Sequence, residues 1–186
     1  MPLVPPQRWP GRQPKVMSPS EPKVLSPAQA EELARSIALR LLTAAPKSRA
    51  QLAQAMAKRL VPPEIAQKVL DRFEQVGLVD DQAYADMLVR TRHTQRGLTG
   101  PALAAELRQR GIGDHVAAQA MAQVSPDDQA ARAETLALKK LASTAGLDYQ
   151  VRLRRTVALL TRKGYPSGLA LEVTRRLLDQ TPGQVS

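Results

Sequence analysis

The residues of this 186-residue chain best suited to act on another molecule are clustered cations. Arg90, Arg92 and Arg96 crowd one short stretch, and Arg108 and Arg110 follow it. Lys139 and Lys140 are adjacent. Arg152, Arg154 and Arg155 form another group, and the pairs Arg162–Lys163 and Arg175–Arg176 close the series. Guanidinium and ammonium groups in such runs neutralise phosphates or meet an acidic protein face. A formal net charge of +10 fits a polyanionic partner. The charge is uneven: residues 28 to 79 carry +3, residues 80 to 125 are neutral overall, and residues 126 to 186 carry +4. Aromatic residues make up 3% of the chain, too few to stack many bases. Contact with nucleic acid is therefore expected along its backbone, without sequence choice.

Other chemistries find few residues. Cys is absent, which removes disulfides, thiolate metal sites and cysteine nucleophiles and suits a reducing cytoplasm. His93 and His115 stand apart, without metal-ligand spacing. Asp80, Asp81 and Asp86 are the one acidic group that resembles a site, but a helix cap followed by a first-turn acid accounts for the adjacent pair. The stretch Arg96 to Pro101, RGLTGP, lacks the lysine and hydroxyl residue of a phosphate loop. No catalysis, metal or cofactor is expected. Nor does any segment approach the roughly 20 apolar residues of a membrane helix, so a cytoplasmic protein without membrane contact is expected.

Helices must position the cations. Apolar residues recur at three-and-four spacing, and Ala, Leu and Gln are abundant, which predicts an all-α fold. SPAQ at Ser26 to Gln29 offers a cap serine, a first-position proline and a glutamine that closes a capping box. SRAQ at Ser48 to Gln51 repeats the device, and SPDD at Ser125 to Asp128 is close to it. Further starts are predicted at Pro62 to Glu64, Asp80, Thr99, Asp114, Asp148 and Ser167. Gly77, Gly111, Gly146 and Gly164 are the predicted stops. Nine helices result.

They group in threes. Aligning LVPPEI (60 to 65), GIGDHV (111 to 116) and GYPSGL (164 to 169) puts Met56, Leu107 and Leu160 in register upstream and Val69, Ala120 and Val173 downstream. The spacing is 51 and then 53 residues, the mark of three diverged three-helix repeats in an elongated, curved molecule. The predicted units are 27–79, 80–124 and 125–180. Before them, residues 1–26 hold seven prolines, four cations and one acid, and a disordered basic tail is expected there; its Trp9 is a solvated residue or a docking point. A short disordered end is expected at 181–186. Between the first two units, Gly77 is predicted to end one helix, Leu78 and Val79 to fold back on it, and Asp80 or Asp81 to cap the next, ahead of Tyr84.

Four stretches, in order, resemble the bacterial RecX regulators of RecA recombinase: LRLLTAAPKSRAQLAQAMAKR (39 to 59), VLDRFEQVGLVDDQAYADMLVRTR (69 to 92), ALAAELRQRGI (102 to 112) and LLTRKGYPSGLALEV (159 to 173). The first two are most similar to actinobacterial members. The resemblance covers residues 28 to 180 and implies tandem three-helix repeats without enzymatic activity. It further implies binding in the groove of the RecA filament on single-stranded DNA. Suppressed ATP hydrolysis and strand exchange and blocked filament growth would follow, within homologous recombination, DNA repair and the SOS response. Partners implied are RecA and single-stranded DNA, with duplex DNA left open. A monomer is the default expectation. Where many relatives carry an arginine after the Gly-Pro that opens the middle repeat's second helix, this chain has Ala102-Leu103, and Leu60 stands where a glycine is usual. The competing reading is a DNA-binding protein built on a helix-turn-helix, because Ser48 to Val79 also fits half of a winged helix; that reading requires a strand after Val79.

Overall fold

The computed structural model describes residues 25–180. The expected tail, but for its last two residues, lies outside them, as do Trp9 and the end at 181–186. Among the described residues there are nine helices and no strand: α1 Pro27–Ala44, α2 Arg49–Ala57, α3 Pro63–Gln75, α4 Asp81–Arg96, α5 Gly100–Gln109, α6 Asp114–Met121, α7 Pro126–Ala142, α8 Tyr149–Arg162 and α9 Ser167–Asp179. Where the winged-helix reading required a strand, α4 begins.

Local chemistry sets the helix ends. The Ser26 and Ser48 hydroxyls accept from the amides of Gln29 and Gln51, and each glutamine returns a bond to the serine amide, so both capping boxes close. Asp80 Oδ1 accepts from the Ala83 amide at 2.8 Å and caps α4. Gly77 takes the left-handed φ of +72° after α3. Val79 folds back and is buried, but Leu78 remains 49% exposed. Gly146 does not end α7: its φ is not left-handed, and the hydroxyls of Ser143 and Thr144 instead donate to the terminal carbonyl of Lys140 at 2.7 and 3.0 Å. Gly97, not among the predicted stops, is the left-handed cap of α4 at φ +63°.

Each triplet buries its own core. Leu52, Met56, Val69, Leu70 and Phe73 fill the first, Leu88, Val89, Leu103, Leu107 and Ile112 the second, and Leu141, Leu160, Tyr165, Val173 and Leu177 the third. The extensive helix–helix packing is within triplets: α1 with α2 and α3, α4 with α5 and α6, α7 with α8 and α9. Fully buried alanines, among them Ala34, Ala38, Ala85, Ala133 and Ala137, let the helix backbones approach closely, so these cores need few aromatic residues. Truncating a fully buried residue such as Met56 to Ala would cost about 2–5 kcal/mol.

The triplets are joined at two seams of the same design. Helices α2, α5 and α8 occupy equivalent places, and each ends in the same turn: the amides of Val61, Ile112 and Tyr165 donate to the carbonyls of Met56, Leu107 and Leu160 at 3.2, 3.1 and 3.2 Å. The residue before each is left-handed: Leu60 at φ 59°, Gly111 at 74° and Gly164 at 98°. At the first seam the start of α2 meets the end of α5, where the Ser48 hydroxyl donates to the Arg110 carbonyl at 2.5 Å. At the second the start of α5 meets the end of α8, where the Thr99 amide donates to the Lys163 carbonyl at 2.9 Å. The positive end of one helix dipole thus faces the negative end of the next.

Glycine is required at both meetings for a reason beyond φ. A Cβ on Gly111 would lie 2.2 Å from the Ala50 Cβ, and one on Gly164 would lie 1.9 Å from the Thr99 carbonyl oxygen. Leu60 has no triplet against it among the described residues and is 86% exposed, which is why a side chain fits there.

Candidate nucleic-acid interface

The second seam opens into a groove of about 680 Å³ lined by Gln95 and Arg96 of α4, by Arg132, Thr135, Leu136, Lys139, Lys140 and Ser143 on or just past α7, and by Leu159 and Lys163 of the α8 end. Five of these ten residues are cations and none is an acid. The α7 members recur at three- and four-residue intervals, so a single helix face carries them. Arg132 Nη2 donates across the seam to the Thr94 carbonyl at 2.5 Å, while its buried Nε has no partner. Lys163 Nζ donates to the Arg96 carbonyl. Backbone carbonyls orient these two charges without neutralising them. Burial, then the neighbouring Arg96 and Arg132 charges, pull the Lys163 ammonium below its ordinary pKa.

The groove gathers four of the sequence candidates: Arg96, Lys139, Lys140 and Lys163. Arg132 was not among them. Its signal was helical phase, since it lies seven residues before Lys139 on the same face. Arg90 and Arg132 line an adjoining hollow with His93 and Asp128. The others are dispersed. Arg92 bonds Glu106 at 2.5 Å, and Arg96 shares that carboxylate at 2.7 Å. Arg110 donates to the Tyr84 hydroxyl at 3.1 Å, and Arg176 pairs with Glu134 at 3.0 Å. Arg108, Arg154, Arg155, Arg162 and Arg175 are exposed, and Arg152 is half-buried. Phe73, Tyr84 and Tyr165 are buried and offer no stacking surface; Tyr149, 42% exposed, donates to Asp179 at 3.1 Å.

The first seam is charged differently. Asp81 Oδ1 accepts from the Arg49 amide at 2.8 Å, so one carboxylate serves the starts of both α4 and α2. The Arg49 guanidinium bonds Asp71 and Glu74, each at 2.6 Å. Its pKa is raised: burial opposes the shift, and the bonds and charges of Asp71 and Glu74 outweigh it. Asp86 accepts from Gln82 at 2.7 Å, so the three aspartates considered as a metal group face separate partners.

Residues 34–73, 80–121 and 127–174 match, in turn, the first, second and third three-helix domains of RecX. The chain belongs to the RecX family. Among curated RecX relatives, the regulatory protein RecX of Thermobifida fusca is 47% identical over 146 residues, covering 78% of this chain and 79% of that one. The regulatory protein RecX of Streptomyces coelicolor is 46% identical over 149 residues, covering 80% and 79%. The crystal structure of RecX from Lactobacillus salivarius shares the fold with a TM-score of 0.75 at 19% identity, over 82% of this chain and 99% of that one. A second solved regulatory protein RecX has a TM-score of 0.71 at 28% identity, over 81% and 73%. RecX is thus a family of regulatory proteins whose all-α tandem-repeat fold this chain has. No described helix is long and apolar enough to cross a membrane.

Proposed function

We propose that this chain is a negative regulator of the RecA recombinase. It binds, as a monomer, in the groove of the RecA filament on single-stranded DNA and inhibits ATP hydrolysis, strand exchange and filament growth. The observation that carries this reading is the RecX match in all three triplets, in order and with each core intact. Three separately packed units in a row present several modest surfaces to a repeating partner, and several weak contacts made together give avidity that none gives alone. The cations of the third triplet supply the electrostatic attraction to the filament and its DNA.

The test is ATP hydrolysis by the same organism's RecA on single-stranded DNA, with this protein added well below the RecA concentration. A fall in rate is expected, because a filament is slowed by few bound regulators when each blocks growth or spans several protomers. An unchanged rate at equimolar folded protein would sink the proposal.

A further inference from the structure

We infer that the groove at the second seam is a seat for the sugar–phosphate backbone of single-stranded nucleic acid, and that filling it braces the second and third triplets against each other. This deepens the regulator reading and rests on it for the choice of polymer.

The groove has the composition of a backbone seat. Cations from both triplets rim it, and Leu136 and Leu159 give it an aliphatic lining. A phosphodiester chain alternates charge with an apolar sugar face, which matches that rim and lining. Without an aromatic residue among those that line it, it cannot stack bases, so occupancy is indifferent to sequence. At about 680 Å³ it exceeds the needs of a lone phosphate and falls in the range of small-ligand sites.

The bracing follows from where the charges are anchored. Arg96 belongs to the second triplet, and Arg132, Lys139, Lys140 and Lys163 belong to the third. No carboxylate lines the groove itself. Glu106, behind Arg96 at 2.7 Å and shared with Arg92, reduces but does not cancel the Arg96 charge, so like charges still oppose each other across the joint. The lowered pKa of Lys163 has the same origin in part. A phosphate between the two sides turns that repulsion into two attractions. The bond that senses the change crosses the seam, where the Thr99 amide donates to the Lys163 carbonyl at 2.9 Å.

The experiment uses the full chain and an oligothymidylate, with affinity read by fluorescence anisotropy over a salt series and seam opening read by hydrogen exchange at the Thr99 amide. The variant Lys139→Gln/Lys140→Gln is compared with Lys58→Gln/Arg59→Gln, which removes the same charge from exposed positions on the first triplet. Groove neutralisation is expected to weaken binding about tenfold and to lower the salt slope by about 1.4, from two contacts at roughly 0.7 each on a single strand. The control is expected to keep wild-type affinity. Oligonucleotide should slow Thr99 exchange several-fold in the wild type and not in the groove variant. Equal losses in both variants would overturn the seat, and unchanged Thr99 exchange with oligonucleotide bound would overturn the bracing. Equal binding of a glutamate oligopeptide at matched ionic strength would overturn the choice of nucleic acid. RecA ATPase inhibition, measured in parallel, separates the readings: intact inhibition alongside any of these failures leaves the regulator proposal standing, whereas absent inhibition by the wild type sinks it.

Discussion

The two seams have one geometry and opposite electrostatics. At each, the start of one middle helix meets the end of the next at a left-handed glycine. The first seam is tied by the side chains of Ser48 and Asp81, and its nearby guanidinium, Arg49, is neutralised by Asp71 and Glu74. The second is tied by the Thr99 backbone amide and by the Arg132 and Lys163 side chains, which donate across it to the Thr94 and Arg96 carbonyls. It carries five cations in a groove whose lining has no acid, although Glu106 behind it pairs with Arg96. Joining two triplets therefore does not require the charge at the second seam, since the first holds without it. Lys139 and Lys140, which make no bond across the joint, are charge beyond what it uses, and the proposed backbone seat gives them a role.

Substitutions can break or sharpen this comparison. The largest effect is expected at the shared glycine: Gly164→Ala places a Cβ 1.9 Å from the Thr99 carbonyl oxygen and strains a φ of +98°. It should destabilise the chain by about 3 kcal/mol, read by chemical denaturation. A loss below about 1 kcal/mol would mean the second seam is not closed in solution.

Alkaline stability distinguishes the seams next. Tyr165, 3% exposed beside the second seam, has its pKa pushed up to about 12, chiefly by burial and against the opposing Arg132 charge. The folded state thus holds the proton more tightly than the unfolded chain, whose tyrosine titrates near 10. Stability is full below pH 10 and declines as pH rises through 12, by up to about 2 kcal/mol. Because its hydroxyl is buried without a partner, Tyr165→Phe should leave stability at neutral pH nearly unchanged and flatten the alkaline decline. Persistence of the full decline in the phenylalanine variant would assign it elsewhere.

The serine and the threonine test how each seam is tied. Ser48→Ala removes a capping bond and the bond to the Arg110 carbonyl together, and about 1–2 kcal/mol should be lost. Thr99→Ala keeps the backbone bond to Lys163 and should cost less. The reverse order, measured by melting, would contradict the side-chain tie at the first seam.

Smaller effects are expected at the left-handed Gly77 and Leu60, which lie at neither seam. Around Gly77 a Cβ would meet nothing within 4 Å, so Gly77→Ala is strained by φ alone and should cost about 1 kcal/mol. Leu60→Gly should stabilise slightly, by about 0.5 kcal/mol, because relief of its left-handed strain exceeds the added chain entropy of glycine. A melting point lowered by Leu60→Gly would mean that the exposed leucine makes a contact in solution.

Much of this was legible in the residues. Ser26, Ser48, Ser125 and Asp80 mark their helix starts because capping chemistry is local, needing only a side-chain oxygen and an amide three residues on. The register of Met56, Leu107 and Leu160 was legible because burial repeats with the helices. Gly146 misled, since a glycine signals freedom to turn left without compelling it, and the hydroxyls of Ser143 and Thr144 ended α7 first. Gly97 was missed inside RGLTGP, where several turn-forming residues compete.

The candidate site was legible only as a list of charges. Sequence by itself determined which cations exist, which helix carries each, and that all-α repeats carry them, because these depend on composition and on contacts within a few turns. Tertiary structure decided which charges meet. Arg92 and Arg110 went to Glu106 and Tyr84, while Arg96, itself shared with Glu106, met Arg132, Lys139, Lys140 and Lys163 in the groove, from as much as 67 residues apart along the chain. That choice rests on how α5 meets α8, set by the close approach of Gly164 to Thr99. No local pattern carries it, because a distance between two backbones is a property of the pair.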